Sequence, residues 1–309
     1  MEKLSFIVGE EEANLQVKKV IRSKYRLSSR MMTKIKYQDL ISINGVKSPG
    51  YTLLNLGDEV IVSIPDEKSN FPTEDIPIFP IYEDEDFLII NKQAGVTVHP
   101  TKGHPSNTIA NGLMSYMEET GQSFKVRFVN RLDMDTSGVL VIAKNQMVQA
   151  DLNKQMMNGD TNKEYLAIVS GIPKENKFII DLPIGAPEPG SIGRRVVSND
   201  EDGFPSQTEV TVLATIKKEE NTFSLLKINL LTGRTHQIRV HLSHLGFPLL
   251  GDPLYGGDMS LINRQALHAY RFKCIHPLKQ TVLDVKAPLP EDLKSLLQNL
   301  GADFSSIDC

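Results

Sequence analysis

The chain has 309 residues, a net charge of −4, 40% hydrophobic and 23% charged residues. These are the proportions of a soluble globular protein with one large domain, or a large and a small one. No run approaches 18 consecutive apolar residues, MEKLSFIVGEEEAN lacks the basic-then-apolar order of a signal peptide, and only Cys274 and Cys309 are present. A membrane span, export, a disulfide framework and a cysteine-rich zinc site are therefore not expected, and the expected compartment is the cytoplasm.

Residues 1–66 read as a separate unit. In ANLQVKKVIRSKYR the apolar Val17, Val20, Ile21 and Tyr25 recur at helical spacing, and Ser28 or Ser29 can cap a second short helix, RMMTKIKYQ. ISINGVKS follows, where Asn44-Gly45 is a hairpin turn signal, and GDEVIVSIP is an alternating strand closed by Pro65. From Val17 to Lys36 there are eight Lys or Arg and no acid, in an otherwise acidic chain. Lys18, Arg22 and Arg26 fall at i, i+4, i+8, and Arg30 and Lys34 at i, i+4, with Lys19 beside them. Like charges at that spacing slightly destabilise an isolated helix, so the pattern favours a use for the charge over a merely solvated face. Phosphate contacts need only such point charges. Residues 67–75, in the polar and Pro-containing DEKSNFPTEDIP, read as a linker.

From about Ile76 onward, residues 76–309 alternate strand-like and helix-like segments. FLIINK, VLVIAK, EYLAIVSG, SQTEVTVLATI, FSLLKINLLTG and HAYRFKCI read as strands. NTIANGLMSYMEET, QMVQADLNKQMMNG and RTHQIRVHLSHLG read as helices, the last two ended by Gly159 and Gly246. Consecutive strands after Glu164 imply antiparallel pairing and an α+β class.

Three stretches carry polar groups that folding alone does not require. RLDMDTSG precedes the apolar VLVIA; its Asp, Thr, Ser and Gly are turn formers, so a turn and a functional loop are equally good readings. GRTHQIRVHLSHLGFPLLGDPLYG offers Arg234 and Arg239 with His236, His241 and His244. The histidine spacing lacks the glutamate of a zinc-binding H-E-x-x-H helix, and no cysteine is near, so no metal site is expected. Arg239 lies among apolar helix positions, where an arginine seeks a carboxylate or phosphate; Asp133 is the expected partner. In TNKEYLAIVSG, Lys163, Tyr165 and Ala167 share one strand face, with Leu166 and Ile168 opposite.

In that order, RLDMDTSGVLVIAK, NKEYLAIVSG and GRTHQIRVHLSHLGFPLLGDPLYG resemble the RluA family of pseudouridine synthases; IINKQAGVTVHP and ALHAYRFKCIHP fit it too. The layout with an N-terminal module is similar to the RluD-like members. In that module the order helix, Ser-Arg-initiated helix, I-x-x-N-G and G-D-E-V resembles the S-four-like, or alpha-L, RNA-binding motif over roughly residues 5–64. The resemblance implies a roughly eight-stranded mixed, largely antiparallel sheet crossed by a catalytic cleft. It implies isomerisation of uridine to pseudouridine in structured RNA, with no cofactor and no metal. Large-subunit ribosomal RNA is favoured, transfer RNA is possible, and a monomer is the default.

Carried over residue by residue, Asp133 matches the essential aspartate, Tyr165 the tyrosine that packs on the target base, and Arg239 the arginine paired with the aspartate. Arg131 matches a residue associated with opening the RNA, and Lys163 becomes a candidate phosphate contact. The family's usual His before R-L-D is Asn130 here, which can bind substrate by hydrogen bonds but cannot titrate near neutrality. The family's N-K-P is Asn91-Lys92-Gln93. Lys18, Lys19, Arg22, Arg26, Arg30 and Lys34 are the expected RNA-binding cations. Two rivals are an RNA-binding or RNA-remodelling factor without activity, and a glycosidic hydrolase using Asp135 as second carboxylate.

Overall fold

The computed structural model describes residues 2–25, 27, 29–64, 68–186, 195–198 and 203–302, with the side chains of Glu2 and Arg30 left out. The chain divides into two compact units, Met1–Asn70 with Ser123–Lys125 and Asn145–Met147, and Phe71–Gln122 with Val126–Lys144 and Val148–Cys309.

The first unit holds β1 (Glu2–Ile7), α1 (Val17–Lys24), α2 (Ser29–Tyr37), β2 (Ile41–Ile43), β3 (Val46–Lys47) and β4 (Glu59–Ile64). Its antiparallel sheet has the order β1-β4-β2-β3. The helical-period residues Val17, Val20, Ile21, Met31 and Ile35 form one core with the inward strand positions Val60 and Val62. Asn44 and Gly45 both sit at positive φ (51° and 79°), the two-residue hairpin geometry that Asn-Gly favours. The Asn44 side chain then accepts the Glu59 N–H at 2.8 Å and donates to Asp58 at 2.8 Å. The N-G and G-D-E segments are thus parts of one locked turn. Ser28 and Pro65, the expected cap and strand end, lie outside the described residues.

The second unit holds β5 (Pro80–Glu83), β6 (Phe87–Lys92), α3 (Ile109–Glu119), β7 (Arg127–Phe128), β8 (Ser137–Ala143), α4 (Gln146–Asn158, its first two residues grouped with the first unit), β9 (Asn162–Ser170), β10 (Lys177–Asp181), β11 (Ile184–Gly185) and β12 (Val196–Val197). It continues with β13 (Gln207–Lys218), β14 (Asn221–Leu230), α5 (Gln237–His244), β15 (Leu267–Ile275), β16 (Val282–Lys286) and α6 (Glu291–Leu300). Among the described residues the main sheet has ten strands, not eight: β10-β13-β14-β9-β15-β8-β6-β5, with β16 on β15 and β7 on β8.

Its one parallel pairing among the described strands is the short contact of β8 with β15, where Ser137 faces His268 and Gly138 faces Ala269. The two strands then part, and β7 and β16 take up their free edges. All seven residues of β8 are buried, as its unbroken apolar run requires. Gly138 has φ +110°, and a Cβ there would lie 2.1 Å from the Ala269 carbonyl oxygen, so no other residue permits this approach. Opposite the Tyr165 face of β9, Leu166 and Ile168 pack with Leu293, Leu296, Leu297 and Leu300 of α6.

Residues 72–74, expected in the linker, are bonded to the second unit: Pro72 accepts from Asn111 at 2.9 Å, and Thr73 donates to Glu118 at 2.9 Å. The expected helix RTHQIRVHLSHLG begins later than its spacing predicts, at Gln237. His236 is left-handed (φ 57°), and the Gln237 side chain accepts the Arg234 N–H at 3.0 Å, turning Arg234–His236 into a loop. Among the described residues no helix is long and apolar enough to cross a membrane.

Candidate active site

Asp133 sits on the loop between β7 and β8, at the point where the two halves of the sheet meet. The Thr136 N–H closes a turn onto the Asp133 carbonyl at 3.1 Å, which leaves Asp135 as a turn residue. The loop borders a cavity of about 950 Å³, whose lining includes Asn130, Arg131, Asp133, Lys163, Tyr165, His236 and Arg239. The five expected substrate contacts and the expected catalytic aspartate therefore share one cleft.

Arg239 projects from the first turn of α5 and donates Nη1–H to Asp133 Oδ2 at 3.0 Å. Its other edge grips Asp252 in a bidentate pair, Nε to Oδ2 at 2.7 Å and Nη2 to Oδ1 at 2.8 Å. Asp252 is 0% exposed and also accepts the Leu254 and Tyr255 N–H groups. Burial lowers the pKa of Arg239, but Asp252 and Asp133 more than offset this and raise it overall. The Tyr255 ring lies 5.0 Å from the guanidinium carbon and completes the cage. Asp252 was not singled out from the sequence. The signal was in view, since G-D-P-L-Y-G closes the same motif that carries Arg239.

Tyr165 is 7% exposed, and burial followed by the Asp133 charge raises its pKa, so its hydroxyl stays protonated. Lys163 is half-buried on the same strand face, and burial lowers its pKa. Arg131 is exposed at the rim. The Asn130 amide bonds to strand β8, accepting the Val141 N–H at 2.8 Å and donating to the Val139 carbonyl at 3.0 Å. Its place beside the Asp133 loop is thus filled by a side chain that imitates a strand partner, a task an amide performs in one orientation.

Two buried cations hold the loop from behind, and both were missed. Lys92 is 0% exposed and donates to the carbonyls of Gln93, Val96 and Met134, each at 2.8 Å. Burial pulls its pKa down to about 7 against the pull of Asp135 and Asp133, yet three acceptors use all three protons of an ammonium, so the cation is the form this geometry fits. Arg264 donates to the Asp135 carbonyl at 3.0 Å and is itself clamped by Asp292 of α6 at 2.6 and 2.9 Å. His268 donates Nε2–H to the Ala287 carbonyl at 3.2 Å, so its Nδ1 accepts the Ser137 hydroxyl at 2.9 Å. Sequence spacing could not reveal these, because Met134, Asp135, Asp292, Ser137 and Ala287 are brought to their partners by the fold.

The three histidines of the α5 segment do not converge. His241 donates to the Leu182 carbonyl and accepts from Thr208, both at 2.9 Å. The cluster Asp84, Asp86 and His276 has metal-ligand residue types, but Asp84 is taken up by Lys279 at 2.6 Å, Tyr82 at 2.7 Å and His276 at 3.0 Å. It is an ion-pair network.

In the first unit Lys18, Lys19 and Arg22 are exposed on α1, Arg22 donating to Ser29 at 3.1 Å, and Lys34 is half-buried on α2. Lys24 is paired with Glu12 at 2.6 Å, an acid that folding supplies from outside the basic run. Arg26 and the Arg30 side chain lie outside the described residues.

Comparison with known proteins points to one family. The sequence pattern described as RNA pseudouridylate synthase matches residues 86–244. The chain is 40% identical to an uncharacterized RNA pseudouridine synthase, YjbO, of Bacillus subtilis (strain 168), over 88% of this chain and 95% of that one. It is 34% identical to ribosomal large subunit pseudouridine synthase D of Haemophilus influenzae, over 80% and 78%. The solved structure of human RNA pseudouridylate synthase domain containing 1 overlays with a TM-score of 0.56 at 26% identity, covering 76% of this chain and 98% of that one. Sequence motifs, fold and relatives together make this chain a member of the RNA pseudouridine synthase family, an isomerase of the RluA type.

Proposed function

We propose that this chain isomerises specific uridines to pseudouridine in large-subunit ribosomal RNA, acting in the cytoplasm as a monomer. The observation that carries this reading is the Asp133 carboxylate at the cleft, bonded to a caged Arg239 at 3.0 Å and adjoining the Tyr165 face of β9. The target atoms of a stacked uridine are out of reach, so the nucleotide is flipped into the cleft and Tyr165 packs on its base. Asp133 drives cleavage of the N1–C1′ bond, and the freed ring turns so that C5 meets C1′. Arg239 holds the carboxylate in place, while Arg131 and Lys163 bind the phosphates that flank the target. The first unit is an alpha-L RNA-binding module; its exposed Lys18, Lys19 and Arg22 track the backbone of structured RNA. The relatives named for the ribosomal large subunit support this substrate class.

The test is purified protein incubated with total RNA from a strain lacking its gene, followed by carbodiimide-block mapping. New pseudouridine in large-subunit ribosomal RNA is the expected result. New pseudouridine confined to transfer RNA would replace the substrate class. None at stoichiometric enzyme would leave an RNA-binding factor, and released uracil would mark a hydrolase.

A further inference from the structure

The isomerisation needs a base as well as the group that cleaves the N1–C1′ bond. Once C5 has bonded to C1′, C5 still carries its hydrogen, and the ring regains its conjugation only when a base removes that proton. The base must reach atoms that lie against Asp133. Tyr165 is a poor acceptor, because burial and the Asp133 charge keep its hydroxyl protonated.

His236 meets the requirement. Its Nε2 lies 3.8 Å from Asp133 Oδ2, and the residue lines the same cleft. Its Nδ1 is 3.0 Å from the buried Tyr255 hydroxyl, whose oxygen also accepts the Arg195 N–H at 2.8 Å. In the tautomer that donates Nδ1–H to that oxygen, Nε2 carries a lone pair on the side of the ring that faces Asp133. The rings of His236 and Tyr255 stand edge to face, with centroids 5.8 Å apart, which fixes the imidazole plane. The backbone is the second observation. His236 is held at φ 57°, a left-handed conformation that costs a histidine energy and marks sites where side-chain direction matters.

We infer that His236 is the proton acceptor for C5 of the target uridine, oriented by Tyr255. Nε2 takes the C5 proton, the C5–H electron pair closes the C5=C6 bond, and the C6=N1 electrons return to N1. N1 takes a proton from water and the imidazolium returns its own to water, so the net change moves one hydrogen from C5 to N1. Among the described residues, the charged and titratable groups around the ring are Asp133 from the loop before β8, Arg239 from α5, Asp252 and Tyr255 from the segment after α5, and Arg195 from the chain before β12. Burial is the largest influence and Arg239 and Arg195 act with it, so the resting imidazole is neutral; Asp133 and Asp252 favour the imidazolium formed in the step.

This inference rests on the reading of the site as a pseudouridine synthase, and one experiment separates the two. Total RNA is prepared from the gene-deletion strain grown on uracil bearing hydrogen or deuterium at C5, and single-turnover conversion is followed with wild type, His236→Asn and His236→Gln. Asparagine tolerates the left-handed backbone best, so His236→Asn keeps the turn. Both variants are expected to convert RNA at least about 100-fold more slowly, the usual worth of a positioned base. A deuterium isotope effect on the rate of about 2 or more should appear in them and be absent or smaller in wild type. A variant that melts with wild type and keeps its rate overturns the proposal. So does a slow variant with no larger isotope effect, since that is the signature of lost structure or binding. No conversion by wild type would instead overturn the functional reading itself.

Discussion

Lys18, Lys19 and Arg22 stand in water on α1, whereas Lys92, Arg239 and Arg264 are each less than 10% exposed and together hold six carbonyls and three carboxylates. The exposed set acts through its field, which any cation can supply and salt can screen. The buried set acts through geometry. Removing one member strands a charge or a carbonyl that water cannot reach. Substitutions in the two regions should therefore fail in different ways.

The largest effect is expected where the buried set is seated. Gly138→Ala places a Cβ 2.1 Å from a carbonyl oxygen at φ +110°, so the contact between β8 and β15 must open. A loss of at least about 4 kcal/mol, or no soluble protein, is expected in thermal or urea melts. Melting within a degree or two of wild type would mean that the two half-sheets are not held together there.

Asp252→Asn comes next. It leaves Arg239 sealed with one carboxylate instead of two, at a cost of about 3–5 kcal/mol, and it frees the guanidinium to drift from Asp133. Urea melts should show the loss, with a fall in conversion rate at saturating RNA larger than any change in RNA affinity. Unchanged catalysis would show that Asp133 needs no support from behind.

His268 gives the buried side of the comparison a pH signature. Burial lowers its pKa from 6.5 to about 4, so the folded state resists a proton that the unfolded chain accepts. The stability this adds is fully present above pH 6.5 and is lost as the pH falls through about 4, a total of about 3 kcal/mol. His268→Gln should lack that part of the acid loss. Parallel pH curves for the two proteins would contradict the assignment.

The smallest effect belongs to the exposed set. Changing Lys18, Lys19 and Arg22 together to Gln should leave melting and the saturated rate alone and weaken RNA binding. The log–log dependence of affinity on salt should become shallower by about two to three. An unchanged slope would remove α1 from the RNA contact.

The same contrast explains what could be read from the sequence. Elements with a strong period were legible: the β6, β8, β9, β13, β14 and β15 strands, α3 and α4, and the Asn44-Gly45 turn all follow apolar spacing and turn chemistry. The motifs that carry Asp133, Arg239 and Tyr165 are local; the expected Asp133–Arg239 pairing is present at 3.0 Å, and Tyr165 lines the same cleft. The start of α5 was misplaced because a left-handed His236 and the Gln237 side chain override a helical pattern. Strands β1, β5, β10 and β16 and helix α6 were not foreseen, since they are short or amphipathic segments, and β1 and β10 pair with strands distant in sequence. Lys92, Arg264 and His268 were hidden for a related reason. A buried charge looks like any surface charge until the fold closes over it.

Asp133 is where the account stands or falls. Asp133→Asn keeps size and shape, removes the negative charge and leaves an amide oxygen for Arg239, so folding and RNA binding should stay close to wild type. Incubated at stoichiometric concentration with total RNA from the gene-deletion strain, this variant should form no pseudouridine over a time in which wild type goes to completion. Conversion at the wild-type rate by a correctly folded Asp133→Asn protein would contradict the account.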